Sequence, residues 1–219
     1  MSTYSWRTNR DGYVEVDVDG SGEYQAIEIQ PDTATKRVLS NWIPLAQKNS
    51  VKHGVPVSWI LAFIYSETGG DPNAENECCA GLMAIYYSIH GMTRDQALDP
   101  ETNVDKATSW IAESVKKGLD LPQSASVHNA GGGVTGTPHP SSRSPWGMRE
   151  NEGAPYGFIE RVVRAQNYFR RTLENSIPDY EIPPVEGSAL SKLVPFAAGA
   201  AFGYVAIDTI TKLANKYSK

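Results

Sequence analysis

Cysteine is nearly missing from this chain: the 219 residues hold only Cys78 and Cys79, and the two are neighbours. A disulfide between adjacent residues is ordinarily strained, so both are expected as free thiols, which fits synthesis in a reducing compartment. A small scaffold stapled by several disulfides is excluded. Basic charge is also in short supply, with 20 Lys and Arg against 25 Asp and Glu and a net charge of -5. No basic stripe is visible, and there is no electrostatic reason to expect a nucleic-acid partner. The segment from Met1 to Gly12 lacks the charged-then-apolar pattern of a secretory signal. Long apolar runs are lacking except one. Leu193 to Ile207 carries no charge, but Asp208 interrupts it, and it is shorter than the roughly 20 residues a bilayer span needs.

What is present starts with 40% apolar residues, enough for one real core plus appendages. The stretch from Pro56 to Ile85 organises the rest. From Val57 to Tyr65 nearly every residue is apolar, which predicts a helix buried on all sides. Pro56 suits its first turn, and Gly69 and Gly70 suit its stop. Glu67 then falls in the last turn, at the negative end of the helix dipole and one turn above Phe63 and Ile64. Both surroundings favour the protonated acid, the form a general acid for glycosidic bond cleavage requires. The alternative is a solvated glutamate at a helix end.

Elsewhere the pattern changes in a regular way. Gly12 to Gln30 alternates apolar and polar residues around an Asp19-Gly20-Ser21-Gly22 turn, a hairpin signal. Asp17, Asp19, Ser21 and Glu28 also approximate a calcium loop, with Gly22 at the turn. The strand-like flanks favour the plain hairpin. A helical region follows from about Lys36 to His53, with a kink or late start at Pro44. Gly81 to His90 is predicted as a second apolar helix closed by Gly91, Asp99-Pro100-Glu101 as a helix start, and a short helix is expected around Ser124 to Ala130. Residues 131–155 are rich in Gly, Pro and Ser and lack periodicity, so they read as a long loop. A helix from about Tyr156 to Asn175 closes the domain, with Ile159, Val162, Val163, Phe169 and Leu173 facing in and Arg161, Arg164, Arg170 and Arg171 mostly facing out.

Four of these stretches, in order, resemble the signature of the lytic transglycosylases, goose-type-lysozyme-like enzymes that cleave peptidoglycan. They are Ser66 to Ala74 around Glu67, Gly81-Leu82-Met83, Leu98 to Val104, and His128-Asn129-Ala130-Gly131, and the resemblance spans about Asn41 to Leu173. The chain departs from the family pattern at Ala84 (Gln in the family), Asn76 (Ser) and His128 (Tyr). The resemblance implies an all-α, lysozyme-like helical catalytic domain over 36–176. Around it the sequence places a small N-terminal β-hairpin extension (1–35), a Pro-rich linker (177–188) and an apolar C-terminal attachment helix (189–219). It implies cleavage between N-acetylmuramic acid and N-acetylglucosamine by Glu67 acting first as acid and then as base, with no cofactor and no catalytic metal. Asp71, Glu75 and Glu77 are the alternative water activators that would make the enzyme a hydrolase. Loss of turnover, leaving a glycan-binding or structural subunit, is the other alternative. Substrate contacts are expected from Leu82, Met83, Tyr86, His128, Asn129, Trp146 and Tyr156, Trp146 within and Tyr156 just after the 131–155 loop, which reads as a flap over the glycan groove or as a surface insert. The partners expected are peptidoglycan strands and, through the 189–213 tail, a membrane or a virion protein. The absent signal pattern, the acidic charge and the tail suggest a bacteriophage particle component that opens the wall, with a bacterial envelope enzyme as the alternative.

Overall fold

The computed structural model describes residues 5–17, 20–130 and 157–176. These residues are mostly helical, with a small sheet at the N-terminal side. The strands β1 (Ser5–Thr8), β2 (Val14–Asp17) and β3 (Gln25–Ala26) form an antiparallel sheet in the order β1-β2-β3. Seven helices follow: α1 (Thr33–Asn41), α2 (Ile43–His53), α3 (Val57–Thr68), α4 (Arg94–Leu98), α5 (Pro100–Lys116), α6 (Leu121–Ala130) and α7 (Phe158–Ser176).

The expected hairpin is present between β2 and β3, though β3 is only two residues long. The longer partner of β2 is β1, which the alternation from Gly12 onward did not indicate. Asp17 is buried, and its carboxylate accepts the backbone N–H groups of Gly20 and Gly22 at 2.8 and 2.9 Å. That arrangement shapes the turn through side-chain-to-backbone hydrogen bonds. Ser21 Oγ accepts the N–H of Glu23 at 3.2 Å, and Glu28 pairs with Arg171. Asp19 lies outside the described residues.

The helical region before α3 is two helices meeting at Trp42. Asp32 caps α1 in a reciprocal capping box with Thr35, and Pro44 sits in the first turn of α2, where its missing N–H has no helical partner to lose. Next comes α3, whose Ile60, Leu61, Phe63 and Ile64 are fully buried. It packs most extensively against α7, which brings Val162, Val163, Phe169 and Leu173 to the seam. At about 1.5–3 kcal/mol for each large apolar side chain removed from water, this seam is the dominant source of hydrophobic stabilisation. The sheet is sewn onto the same helix: Asn167 accepts the Val14 N–H at 3.0 Å and donates to the carbonyls of Val14 and Ile27 at 2.9 and 2.8 Å.

Two expectations are corrected. Gly81 to His90 is a chain of turns, not a helix. Ala80 forms isolated antiparallel bridges with Glu75 and Ile85. The buried Asn103 carboxamide accepts the Met83 N–H at 2.8 Å and donates to the carbonyls of Ala80 and Ala97 at 3.0 and 2.8 Å. Backbone groups that a helix would pair with one another are therefore committed across the fold. Gly81, at φ 78°, lies so close to α4 that a Cβ there would meet the Ala97 carbonyl oxygen at 1.9 Å. The two cysteines, in turn, are joined to each other in a disulfide, and there is no free thiol among the described residues. Asn76 Oδ1 accepts the N–H groups of both Cys78 and Cys79, which curls the segment tightly enough for neighbouring side chains to meet. The short helix α4 was also unforeseen; a Thr93–Gln96 capping box starts it.

The linker and the apolar tail, 177–219, lie outside the described residues, as does the loop 131–156. Among the described residues no helix is long and apolar enough to cross a membrane.

Candidate active site

Glu67 stands in the last turn of α3, as its sequence position predicts. The end of that helix is fixed from several sides. Gly69 closes it in the left-handed conformation, its N–H donating to the Tyr65 carbonyl at 2.9 Å. The Thr68 hydroxyl donates to the Leu82 carbonyl at 2.9 Å, and the Trp42 indole donates to the Gly70 carbonyl at 2.9 Å. A carboxylate held on a pinned helix end can keep its geometry within the small tolerance that proton transfer demands.

The Glu67 side chain is 16% exposed and borders a cavity of about 880 Å³. His128, from α6, places Nε2 at 3.2 Å from Glu67 Oε1, and its own side chain is 8% exposed. Phe63 meets the His128 ring edge-on at 4.9 Å between centroids, and Phe158 stacks parallel to it at 6.4 Å. From α7, Arg161 donates to the Ser66 carbonyl at 3.3 Å, and its guanidinium lies 5.8 Å from the centre of the Phe158 ring. Burial pushes the Arg161 guanidinium down from its usual value, while Glu67 and then Tyr65 pull it back up. Arg161 thus sets a positive charge near Glu67, although the stripe on α7 had assigned it to the outer face.

Of the expected substrate contacts, Met83, Tyr86, His128 and Asn129 all line the cavity. Leu82 does not; it is fully buried in the core, and its carbonyl receives the Thr68 hydroxyl. Trp146 and Tyr156 lie outside the described residues. The cavity continues along α5 through Trp110, Glu113 and Lys117. The His90 ring lies tilted against Trp110 with 4.2 Å between centroids, and burial, then Lys106 and His128, push its imidazole below the ordinary value. Trp110 was overlooked because it flanks the buried stripe of α5. An aromatic residue beside such a stripe, at the edge of the apolar face, is the signal that would have found it.

The loop carboxylates go elsewhere. Glu75 is held by both ends of the Arg94 guanidinium at 2.6 and 2.7 Å, a fork that keeps its carboxyl below the usual range. Asp71 accepts the Asn73 N–H at 3.0 Å, and neither Asp71, Glu75 nor Glu77 lines the cavity. Among the described residues, Glu67 and the exposed Glu113 are the carboxylates that do. No group of His, Cys, Asp and Glu suited to a metal ion occurs among the described residues.

The described residues thus form a mostly helical domain with a glutamate on a pinned helix end at the border of a cavity. The comparisons with known proteins bear on the same stretch of chain. Residues 44–144 match the Transglycosylase SLT domain. The chain is 25% identical over 164 residues to the endo-type membrane-bound lytic murein transglycosylase A of Cronobacter sakazakii (strain ATCC BAA-894), covering 65% of this chain and 80% of that protein. It is 27% identical over 117 residues to the protein of the same name from Enterobacter sp. (strain 638), covering 46% and 57% respectively. With the membrane-bound lytic murein transglycosylase C of Yersinia pestis (strain Pestoides F) it shares 28% over 102 residues, 41% of this chain and 28% of that protein. The chain therefore spans little more than half of the Enterobacter relative and under a third of the Yersinia one. Residues 44–144 are thus similar to the Transglycosylase SLT domain, and the relatives, each under 30% identical, carry the name lytic murein transglycosylase.

Proposed function

We propose that this chain cleaves the peptidoglycan bond between N-acetylmuramic acid and N-acetylglucosamine as a lytic transglycosylase, with Glu67 as its single acid and base. The observation that carries the reading is the position of Glu67. It borders the cavity at the end of a buried helix, while Asp71, Glu75 and Glu77 are held away from it. Glu67 gives its proton to the bridging oxygen as the bond to the muramic-acid C1 breaks and positive charge develops on the ring. The resulting carboxylate takes the proton of the same sugar's C6 hydroxyl as O6 bonds to C1, giving an anhydro end without water. Met83 lines the cavity with the carboxyl, Phe63 and Phe158 pack against the neighbouring His128 ring, and Arg161 offsets the negative charge that Glu67 carries between the two steps.

Mass spectrometry of products from purified sacculi tests this. Anhydro-muramic ends are expected. Reducing ends would make the chain a hydrolase, with Glu113 the cavity carboxylate to suspect, and no cleavage of any wall type would leave a glycan-binding subunit. The site of action proposed is the bacterial cell envelope, as the names of the relatives suggest. Residence in a bacteriophage particle is a finer proposal resting on the composition of the tail after residue 188; proteomics of purified particles tests it.

A further inference from the structure

Position 128 holds a histidine where the resembled family has a tyrosine, and the structure gives its ring a definite partner. His128 Nε2 and Glu67 Oε1 lie 3.2 Å apart, between Phe63 on the ring's edge and Phe158 on its face. We propose that Glu67 and His128 form a proton pair, in which the imidazole both orients the carboxyl and offers the catalytic proton a second resting place. The proposal rests on Glu67 being the acid and base of the reading above.

The chemistry follows from the two ring nitrogens. A neutral ring protonated at Nε2 donates to Oε1, which leaves Oε2 as the oxygen free to exchange a proton with the sugar. Glu67 then donates from Oε2 as the glycosidic bond breaks, and recovers one proton from the C6 hydroxyl as the new C–O bond forms. The pair ends the cycle with the protons it began with, and no further reactant is required. A tyrosine hydroxyl or an amide in this place could donate the same hydrogen bond. Neither can accept a proton, whereas the ring can take one at Nδ1 while Nε2–H keeps its bond to Oε1, so only the histidine makes the protonation of the site a property of two groups.

Other charged groups face the pair from each neighbouring element. Arg161 of α7 acts on Glu67. His90, in the turns after Tyr86, feels His128 and Lys106 as like charges. Glu113 of α5 and Lys117 at its end line the same cavity. Among the described residues, Glu67 is the carboxylate within ion-pair distance of the His128 ring.

The test compares wild type, His128→Gln and His128→Tyr as full chains cleaving purified sacculi across the pH range, at limiting and saturating substrate, with thermal melting to check the fold. The alkaline limb of the normalised wild-type profile should lie higher than that of both variants, by about one pH unit or more, because the ring lets the site keep its proton longer. Limbs that coincide overturn the pair, whether the variants lose rate or merely raise KM as a lost glycan contact would. Should both variants fail to fold, nitrogen NMR of the wild-type ring decides: a His128 titration that differs between wild type and Glu67→Gln supports the pair, and an identical one overturns it. A wild type that cleaves no sacculi at any pH removes the enzyme reading and the pair with it. An active wild type with unmoved limbs removes the pair alone.

Discussion

Two histidine–carboxylate pairs occur among the described residues, and one of them borders the cavity. At the surface, Asp105 of α5 takes both the Lys52 ammonium at 2.6 Å and the His53 ring at 2.7 Å on one oxygen, bridging α2 to α5. In the groove, Glu67 meets His128 at 3.2 Å. The chemical partners are alike and the surroundings are not. Asp105 is 39% exposed and its neighbour Lys52 57%, so solvent screens the pair and it serves to fasten two helices. The His128 ring packs against Phe63 and Phe158, and both His128 and Glu67 line the cavity. Proximity of a histidine to a carboxylate therefore says little. Deeper burial of both partners and a place on the cavity wall make the difference.

The comparison breaks most visibly at Glu67. Glu67→Gln should lower release of glycan products from sacculi by at least about 100-fold while the melting temperature holds or rises, since an amide keeps the shape but can neither give nor recover the proton. Residual activity of more than a few percent would move the acid to another cavity carboxylate, Glu113. The groove wall comes next. Asn103→Ala removes three hydrogen bonds made in a fully buried place and should cost about 2–4 kcal/mol in denaturant unfolding. Its effect on cleavage should exceed what the unfolded fraction explains, because the turns carrying Met83 and Tyr86 lose their anchor. Gly81→Ala, with its Cβ driven into the Ala97 carbonyl, should be at least as damaging; a well-folded, active variant would show that this wall is free to shift.

Smaller effects sharpen the other side. Asp17 is a carboxylate with both oxygens given to backbone N–H groups, so Asp17→Ala should cost about 1–2 kcal/mol with or without calcium. A calcium-dependent rise in melting temperature that this variant abolishes would favour the metal-loop reading over the plain hairpin. The smallest change is expected from Asp105→Asn: at most about 1 kcal/mol, and no change in cleavage. Burial works against the Asp105 charge, but the hydrogen bonds from Lys52 and His53 outweigh it and hold the carboxyl below its usual value. A lowered carboxyl contributes stability above its unfolded value, and that contribution is lost as pH falls through the folded one. Wild type and variant should therefore converge in stability in acid, and melting curves across the acid range check it.

Much of this was legible in the chain because it rests on local signals. The apolar run from Val57 to Tyr65 with its glycine stop marked α3 and put Glu67 in the last turn, and Asp99-Pro100 marked the start of α5. The turns after Gly81 were misread because apolar residues alone cannot separate a helix from a segment whose backbone is claimed by a distant side chain, here Asn103. Arg161 was assigned outward since the stripe on α7 divides the helix into two faces, while a long side chain at their border can reach back over Phe158. Leu82 was given to the substrate by motif alone, and its complete burial returns it to the core. The cysteine pair shows the limit of arguing from average geometry, because the Asn76 turn makes its own.

The clasp of Asn167 on Val14 and Ile27 has a consequence for the order of events during synthesis. Its hydrogen bonds join residues 153 and 140 positions apart. When β2 leaves the ribosome its buried valines have no α7 to lie on, and they wait until nearly the whole described chain has been made. Contacts of such long range slow folding and leave strand edges exposed meanwhile. Strand β2, made before all seven helices, is thus among the last of these elements to settle.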